Sequence, residues 1–161
     1  MYAAAVAGKF NKPWFARHKD KIYPIVYDIA SPGKSSSKAF PKARHKDWFD
    51  GHSWASGVFY MGQAKSQESS SEAVNAYYGA YLFGEVAGDS ELADFAKMLL
   101  ATEIRSAQKY WQTWPGRGIY DERLAKQYML GVVGALVSSI STWFGDNPAY
   151  ARARGRAPRA E

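Results

Sequence analysis

Glu68 and Glu72 are the two side chains in this 161-residue sequence best spaced to move a proton. Residues four apart on a helix share one face with Cβ atoms about 6 Å apart. Two carboxylates held that close divide into an acid and a base. The geometry requires the helix to run through the intervening Ser69-Ser70-Ser71; if it starts later, the pair is a capping arrangement plus one solvated Glu. Upstream, His45-Lys46-Asp47-Trp48-Phe49-Asp50-Gly51-His52-Ser53-Trp54 has the composition of a sugar subsite. Its carboxylates and imidazoles suit hydroxyl groups, and its indoles suit the apolar faces of pyranose rings. A His-Asp-Asp cluster also suits a divalent metal, but His45 and His52 lack a recognised ligand spacing, so neither metal nor cofactor is expected. A Ser nucleophile would need an elbow such as G-x-S-x-G, which is absent, as are a phosphate-binding P-loop and G-x-G-x-x-G.

These residues need helices to hold them. Tyr2 to Ala7 reads as the end of a helix, and Asn11-Lys12-Pro13 as the start of the next, with Trp14, Phe15, Ile22, Ile25, Val26 and Ile29 at helical spacing. Pro24 is expected to kink or divide that helix. Residues 31 to 46, rich in Ser, Pro and Gly, read as a long exposed loop. Residues 47 to 62 fit neither a period of 2 nor of 3.6 and read as irregular, with at most one helical turn. Ser69 or Ser70 then caps a helix to about Ala87, with Glu72 in its first turn. This helix is apolar nearly all round apart from Asn75 and Glu85, which predicts burial on every side.

After Gly88-Asp89-Ser90, with Ser90 as cap, an amphipathic helix runs to about Gln112. Leu92, Phe95, Ala96, Leu99, Ile104, Ala107 and Trp111 form its stripe, while Glu91, Asp94, Lys97, Glu103 and Lys109 face outward. A buried helix followed by a half-exposed one predicts a mainly α, double-layered array of inner and outer helices. Trp114 to Gly118 breaks the chain, and Met129 to Phe144 reads as short extended segments. The ending ARARGRAPRAE, residues 151 to 161, is almost wholly Ala, Arg, Gly and Pro. It reads as a disordered basic tail or as G/C-rich DNA out of frame, leaving 1 to 150 as the helical domain.

Composition narrows the class. A chain of this length buries roughly 70% of its unfolded surface. Aromatics make up 16% of the residues, with six Trp and eleven Tyr, more than such a core needs, which points to a ligand groove. The absence of Cys excludes disulfides and thiolate chemistry. The net charge of +6 is concentrated in the tail, where four Arg face one Glu. No nucleic-acid or membrane partner is therefore expected. Binding of DNA through the tail would be steeply salt-dependent and lost on removing residues 151 to 161.

Four strings carry a resemblance: DWFDGHSWASG at 47 to 57, QESSSEAVNAYYGAYLFG at 67 to 84, GDSELADFAKMLLATEI at 88 to 104 and TWFGDNPAY at 142 to 150. Together they closely resemble the catalytic region of glycoside hydrolase family 81, the endo-β-1,3-glucanases. The resemblance implies hydrolysis of internal β-1,3-glucosidic bonds with inversion, on an incomplete (α/α)6-toroid-like array. It implies a full-length protein that acts outside the cell or at the cell wall, although this sequence contains no signal peptide. Glu68 and Glu72 are the implied catalytic carboxylates, one of them the base. Asp47, Trp48, His52, Trp54, Asn75 and Tyr78 are the expected substrate-binding residues. The family's acid, an Asp in a His-rich motif preceding an alanine run like Tyr2-Ala3-Ala4-Ala5, has no counterpart here. The Ile-His-Gly segment that usually follows the Asn-Pro-x-Tyr element is also replaced, so both ends read as those of a fragment. A non-catalytic β-glucan-binding module is the alternative.

Overall fold

The computed structural model describes residues 1–33, 39–55 and 65–140. The chain is mainly α, as expected, with a small sheet. It divides into two compact units, Met1–Lys46 with Ser71–Ile104, and Asp47–Ser70 with Arg105–Glu161. Among the described residues no helix is long and apolar enough to cross a membrane.

The first unit begins with an elbow made by one residue. Asn11 ends α1 (Tyr2–Phe10) by donating its backbone N–H to Ala7 O at 2.8 Å. Its side chain then caps α2 (Lys12–Ala30), accepting from Trp14 N at 3.0 Å. Gly8 makes room at the elbow, because a Cβ there would meet the Phe15 ring and lie 2.8 Å from Val86 Cγ1. Pro24 does not divide α2. It sits on an exposed stretch of the helix, where water can replace a missing backbone hydrogen bond.

Helix α3 (Ser70–Ala87) packs through small residues. A Cβ at Gly79 would lie 3.0 Å from Tyr2 N in α1, and one at Gly84 would lie 2.8 Å from Ala93 N in α4 (Ser90–Tyr110). Phe83 fills the centre, with Phe15 at 5.5 Å and the edge of Tyr23 at 5.1 Å. Val26, Ala30, Ala80, Leu92, Ala96 and Leu99 close around them.

Two expectations for these helices are corrected. First, α3 is not buried on every side, because Ser71, Glu72, Asn75, Tyr78 and Glu85 are exposed. Apolar and aromatic composition does not distinguish a core face from one that meets a ligand. Second, Asp89 rather than Ser90 caps α4, its Oδ1 accepting from Leu92 N at 3.0 Å. Its Oδ2 accepts from the Tyr23 hydroxyl at 3.2 Å.

The amphipathic reading of α4 fails at two positions. Ile104 is exposed, and Glu103, expected to face outward, is fully buried. Glu103 is held by Lys46, whose Nζ lies 3.1 Å from Oε2, 3.3 Å from Leu99 O and 5.3 Å from the centroid of Tyr77. A charge on the core side of a helix is stable only with such a partner. The partner comes from residue 46, at the end of the expected loop, of which 34–38 lie outside the described residues. Arg44 in the same stretch grips Asp28 through two hydrogen bonds of 2.9 and 2.7 Å.

The second unit holds a three-stranded antiparallel sheet in the order β1 (Ser66–Gln67), β2 (Val132–Gly134), β3 (Ser138–Ser139). Its register pairs Gln67 with Val133 and Val133 with Ser138. The last two strands fall within the expected extended region, whose residues 141–144 lie outside the described residues, as does the tail. A four-residue helix, α5 (Glu122–Ala125), is capped by Asp121. Trp111, Leu130 and Val133 form the core of this unit.

Candidate functional site

Of the eight expected site residues, Asp47, Trp48, His52, Trp54 and Glu68 belong to the second unit, and Glu72, Asn75 and Tyr78 to the first. In the second unit, Asp47 organises a closed turn. Its backbone N–H donates to His52 O at 2.8 Å, and Gly51 N donates to Asp47 O at 2.9 Å, one helical turn. Gly51 takes a φ of 81°, which favours glycine.

The Asp47 carboxylate fills the turn. Oδ1 accepts from Phe49 N at 2.9 Å and Asp50 N at 3.1 Å, and Oδ2 accepts from the Trp54 indole at 2.9 Å. Burial pushes this carboxyl upward, but the Asp50 N–H, the Trp54 indole and the Phe49 N–H outweigh it and hold it below the ordinary carboxylate value.

The turn separates its aromatic residues. Trp54 is 6% exposed and His52 1%, whereas Trp48 is 55% exposed and Phe49 96%. The His52 ring stands edge-on to Trp54 at 4.4 Å, to Tyr110 at 5.8 Å and to Trp111 at 5.0 Å, and its Nδ1 lies 2.9 Å from Ser53 O. His52 and Trp54 thus pack within the unit, while Trp48 is more than half exposed. Beside them is a cleft of about 320 Å³, lined by Asp50, His52, Trp54, Tyr110 and Tyr120 and by residues 133–138. The Tyr110 hydroxyl donates to Asp50 Oδ1 at 3.2 Å, and Ser106 Oγ donates to Asp50 O at 2.9 Å, fixing the wall that carries Asp50.

Glu68 follows β1 and precedes the first residue of α3 by two. The chain is not helical there, so the condition for an i,i+4 helical pair of Glu68 and Glu72 is not met and the later helical start holds. Gln67 is the reason. Its side-chain Oε1 accepts from Ser69 N at 3.2 Å, closing a local turn that competes with an earlier helical start. Glu68 is 8% exposed. Glu72 lies in the first turn of α3 and is exposed.

In the first unit, Glu72, Asn75 and Tyr78 recur every three residues on α3, so they line one exposed face. Tyr78 stacks with Tyr2 at a centroid distance of 6.2 Å. Among the described residues, no three or more His, Asp or Glu side chains form a group that could hold a metal ion.

Sequence reasoning missed Gln67, Tyr110 and Tyr120. Gln67 adjoins Glu68 and was visible in the motif, but its partner is Ser53, 14 residues away. Tyr110 and Tyr120 carried no signal beyond their aromatic character.

The family model for the glycosyl hydrolase family 81 C-terminal domain matches residues 1–155. The primary septum glucan endo-1,3-β-D-glucosidase of Schizosaccharomyces pombe is 33% identical over 152 residues, which are 93% of this chain and 15% of that protein. A glucan endo-1,3-β-D-glucosidase of Glycine max is 30% identical over 145 residues, 89% of this chain and 22% of that one. One from Acetivibrio thermocellus is 34% identical over 113 residues, 69% of this chain and 14% of that one. Among solved structures, a mutant form of a glycoside hydrolase family 81 protein from Clostridium thermocellum superposes with a TM-score of 0.77 at 25% identity, covering 98% of this chain and 22% of that one. The chain thus spans less than a quarter of the length of each of these proteins.

Proposed function

We propose, from the premise that this chain belongs to glycosyl hydrolase family 81, that it contributes the base and part of the sugar-binding surface for hydrolysis of internal β-1,3-glucosidic bonds. The relatives are named for that reaction on glucan. The observation that carries the reading is Glu68: a carboxylate in the family's Glu-Ser-Ser-Ser-Glu motif, 8% exposed, directly after β1 in the chain.

The chemistry is an inverting displacement. Glu68 accepts a proton from a water whose oxygen attacks the anomeric carbon, on the face opposite the leaving sugar. The bond from that carbon to the glycosidic oxygen breaks, and an acid protonates the departing oxygen. The two carboxyl groups stand about 6.5 to 9.5 Å apart in such mechanisms, which leaves room for the water. No residue of 1–161 matches the family's His-rich acid motif, so the acid comes from outside these residues. Glu72 is the second carboxylate of the motif, and the exposed Asn75 and Tyr78 face of α3 meets sugar hydroxyls and ring faces. In the other unit Trp48 is the stacking platform, while Asp47, His52 and Trp54 hold the turn that presents it. The full-length protein acts on polymer outside the cell or in the wall.

A substrate that needs no acid tests this reading. A β-configured glycosyl fluoride of a β-1,3-linked glucose disaccharide loses fluoride without protonation, so it reports the base alone. The chain is expected to release fluoride and form the α-configured sugar, with release lost in Glu68→Gln, and to act weakly on laminarin because acid assistance is typically worth about 10² to 10⁴ in rate. Binding of laminarin without fluoride release, lost in Trp48→Ala, would instead favour the non-catalytic glucan-binding module. Robust laminarin hydrolysis unaffected by Glu68→Gln and Glu72→Gln would sink the assignment.

A further inference from the structure

Gln67 is held at both ends of its side chain. It is 2% exposed, its Nε2 donates to Ser53 Oγ at 2.7 Å, and its Oε1 accepts from Ser69 N at 3.2 Å. Its backbone is fixed by pairing with Val133 across β1 and β2. One amide therefore ties together the sheet, the 47–54 turn and the peptide that follows Glu68. All of these contacts lie within the second unit.

Glu68 sits between the two anchored points. The residue before it is locked in the sheet, and the N–H of the residue after it is locked to the Gln67 side chain. A short segment pinned on both sides has little freedom in φ and ψ, and the direction of its side chain is set accordingly. Ser53, the far end of the tie, belongs to a turn that is itself closed through Asp47. Both ends of the Gln67 amide are thus engaged by protein groups.

We propose that Gln67 is a positioning residue that fixes the direction of the Glu68 carboxylate; the proposal rests on the reading of Glu68 as base. Each end of the amide has a separable part. Gln67→Leu removes both ties. Ser53→Ala removes the tie to the turn and keeps the Gln67 contact with Ser69 N. Gln67→Glu keeps an acceptor for Ser69 N and accepts from the Ser53 hydroxyl, but it places a negative charge next to Glu68.

The experiment measures kcat and KM for fluoride release from the same disaccharide fluoride, and records the ¹³C chemical shift of the Glu68 side-chain carboxyl, in the full chain and in these variants beside Glu68→Gln. A misdirected base costs rate rather than affinity, so Gln67→Leu is expected to lower kcat about 10- to 100-fold with KM within twofold. Gln67→Glu, which keeps both contacts, is expected to retain most of the kcat that Gln67→Leu loses. A merely structural tie would lower the unfolding midpoint but leave kcat of the folded protein and its split from KM unchanged. If circular dichroism shows Gln67→Leu unfolded, Ser53→Ala takes its place, with a smaller loss of kcat expected.

Loss of activity in Glu68→Gln with kcat in Gln67→Leu and Ser53→Ala within twofold of wild type overturns the positioning role and leaves the base intact. Full activity in Glu68→Gln, or no fluoride release from the wild type, overturns the base. In that case the positioning claim is decided by NMR: a Glu68 carboxyl ¹³C chemical shift in Gln67→Leu unchanged from wild type overturns it, and a displaced one supports it.

Discussion

Replacing Lys46 by Met leaves Glu103 in the core of the first unit without its counter-charge. The pair is sealed, with side-chain exposures of 1% and 0% and a separation of 3.1 Å. At that distance the lost attraction is about 5 kcal/mol for an effective dielectric of about 20. The chain has a cheaper route, which is to neutralise the carboxyl. Protonating an ordinary Glu at pH 7 costs about 3.7 kcal/mol, and at pH 5 about 1 kcal/mol. The expected destabilisation of Lys46→Met is therefore about 3 to 4 kcal/mol at pH 7, falling to about 1 to 2 at pH 5.

The pair itself adds little net stability. Burial holds the Lys46 ammonium below its ordinary value despite the neighbouring carboxylate, so desolvation outweighs the attraction. The double variant Lys46→Met with Glu103→Leu is accordingly expected within about 1 kcal/mol of wild type. Urea unfolding followed by Trp fluorescence, at both pH values, measures all three. A loss below 1 kcal/mol at pH 7, a loss independent of pH, or a double variant as unstable as the single one would each refute the reasoning.

Asp47→Asn turns an N–H toward the Trp54 indole donor, which is expected to cost about 1 to 3 kcal/mol and to shift Trp fluorescence. Because the folded-state pKa of Asp47 lies below 3.8, its contribution is complete above that value and is lost as pH falls through the lowered one, so acid unfolding of wild type and Asp47→Asn should converge there. Gly84→Ala gains about 1 kcal/mol of helix propensity but drives a Cβ to 2.8 Å from Ala93 N, a backbone contact that cannot easily give. The net expectation is a loss of about 1 to 2 kcal/mol in urea unfolding. Asp89→Ala removes both the cap of α4 and the acceptor for Tyr23. About 2 kcal/mol should be lost, with thermal unfolding brought down by roughly 4 to 8 °C.

The sequence alone determined what is local. Asn11 and the Ser run mark helix starts because capping uses a side chain within three residues of the groups it satisfies. The Glu-Ser-Ser-Ser-Glu motif fixed the candidate carboxylates and, through the long matching strings, the family. Tertiary structure decided which of these residues face solvent and which are locked inside. Trp48 and Trp54 have the same composition signal, yet one is exposed and the other is buried against His52, because a turn closed by Asp47 sends them to opposite sides. Glu103 reads as a surface charge until Lys46, 57 residues away, is brought to it. Glu68 reads as lying next to a helix capped at Ser69 or Ser70; that the Gln67 amide, braced on Ser53, takes the Ser69 N–H and pins the peptide after Glu68 only folding could decide. Periodicity records which side chains lie on one face, but the partner that meets that face comes from elsewhere in the chain, and only folding supplies it.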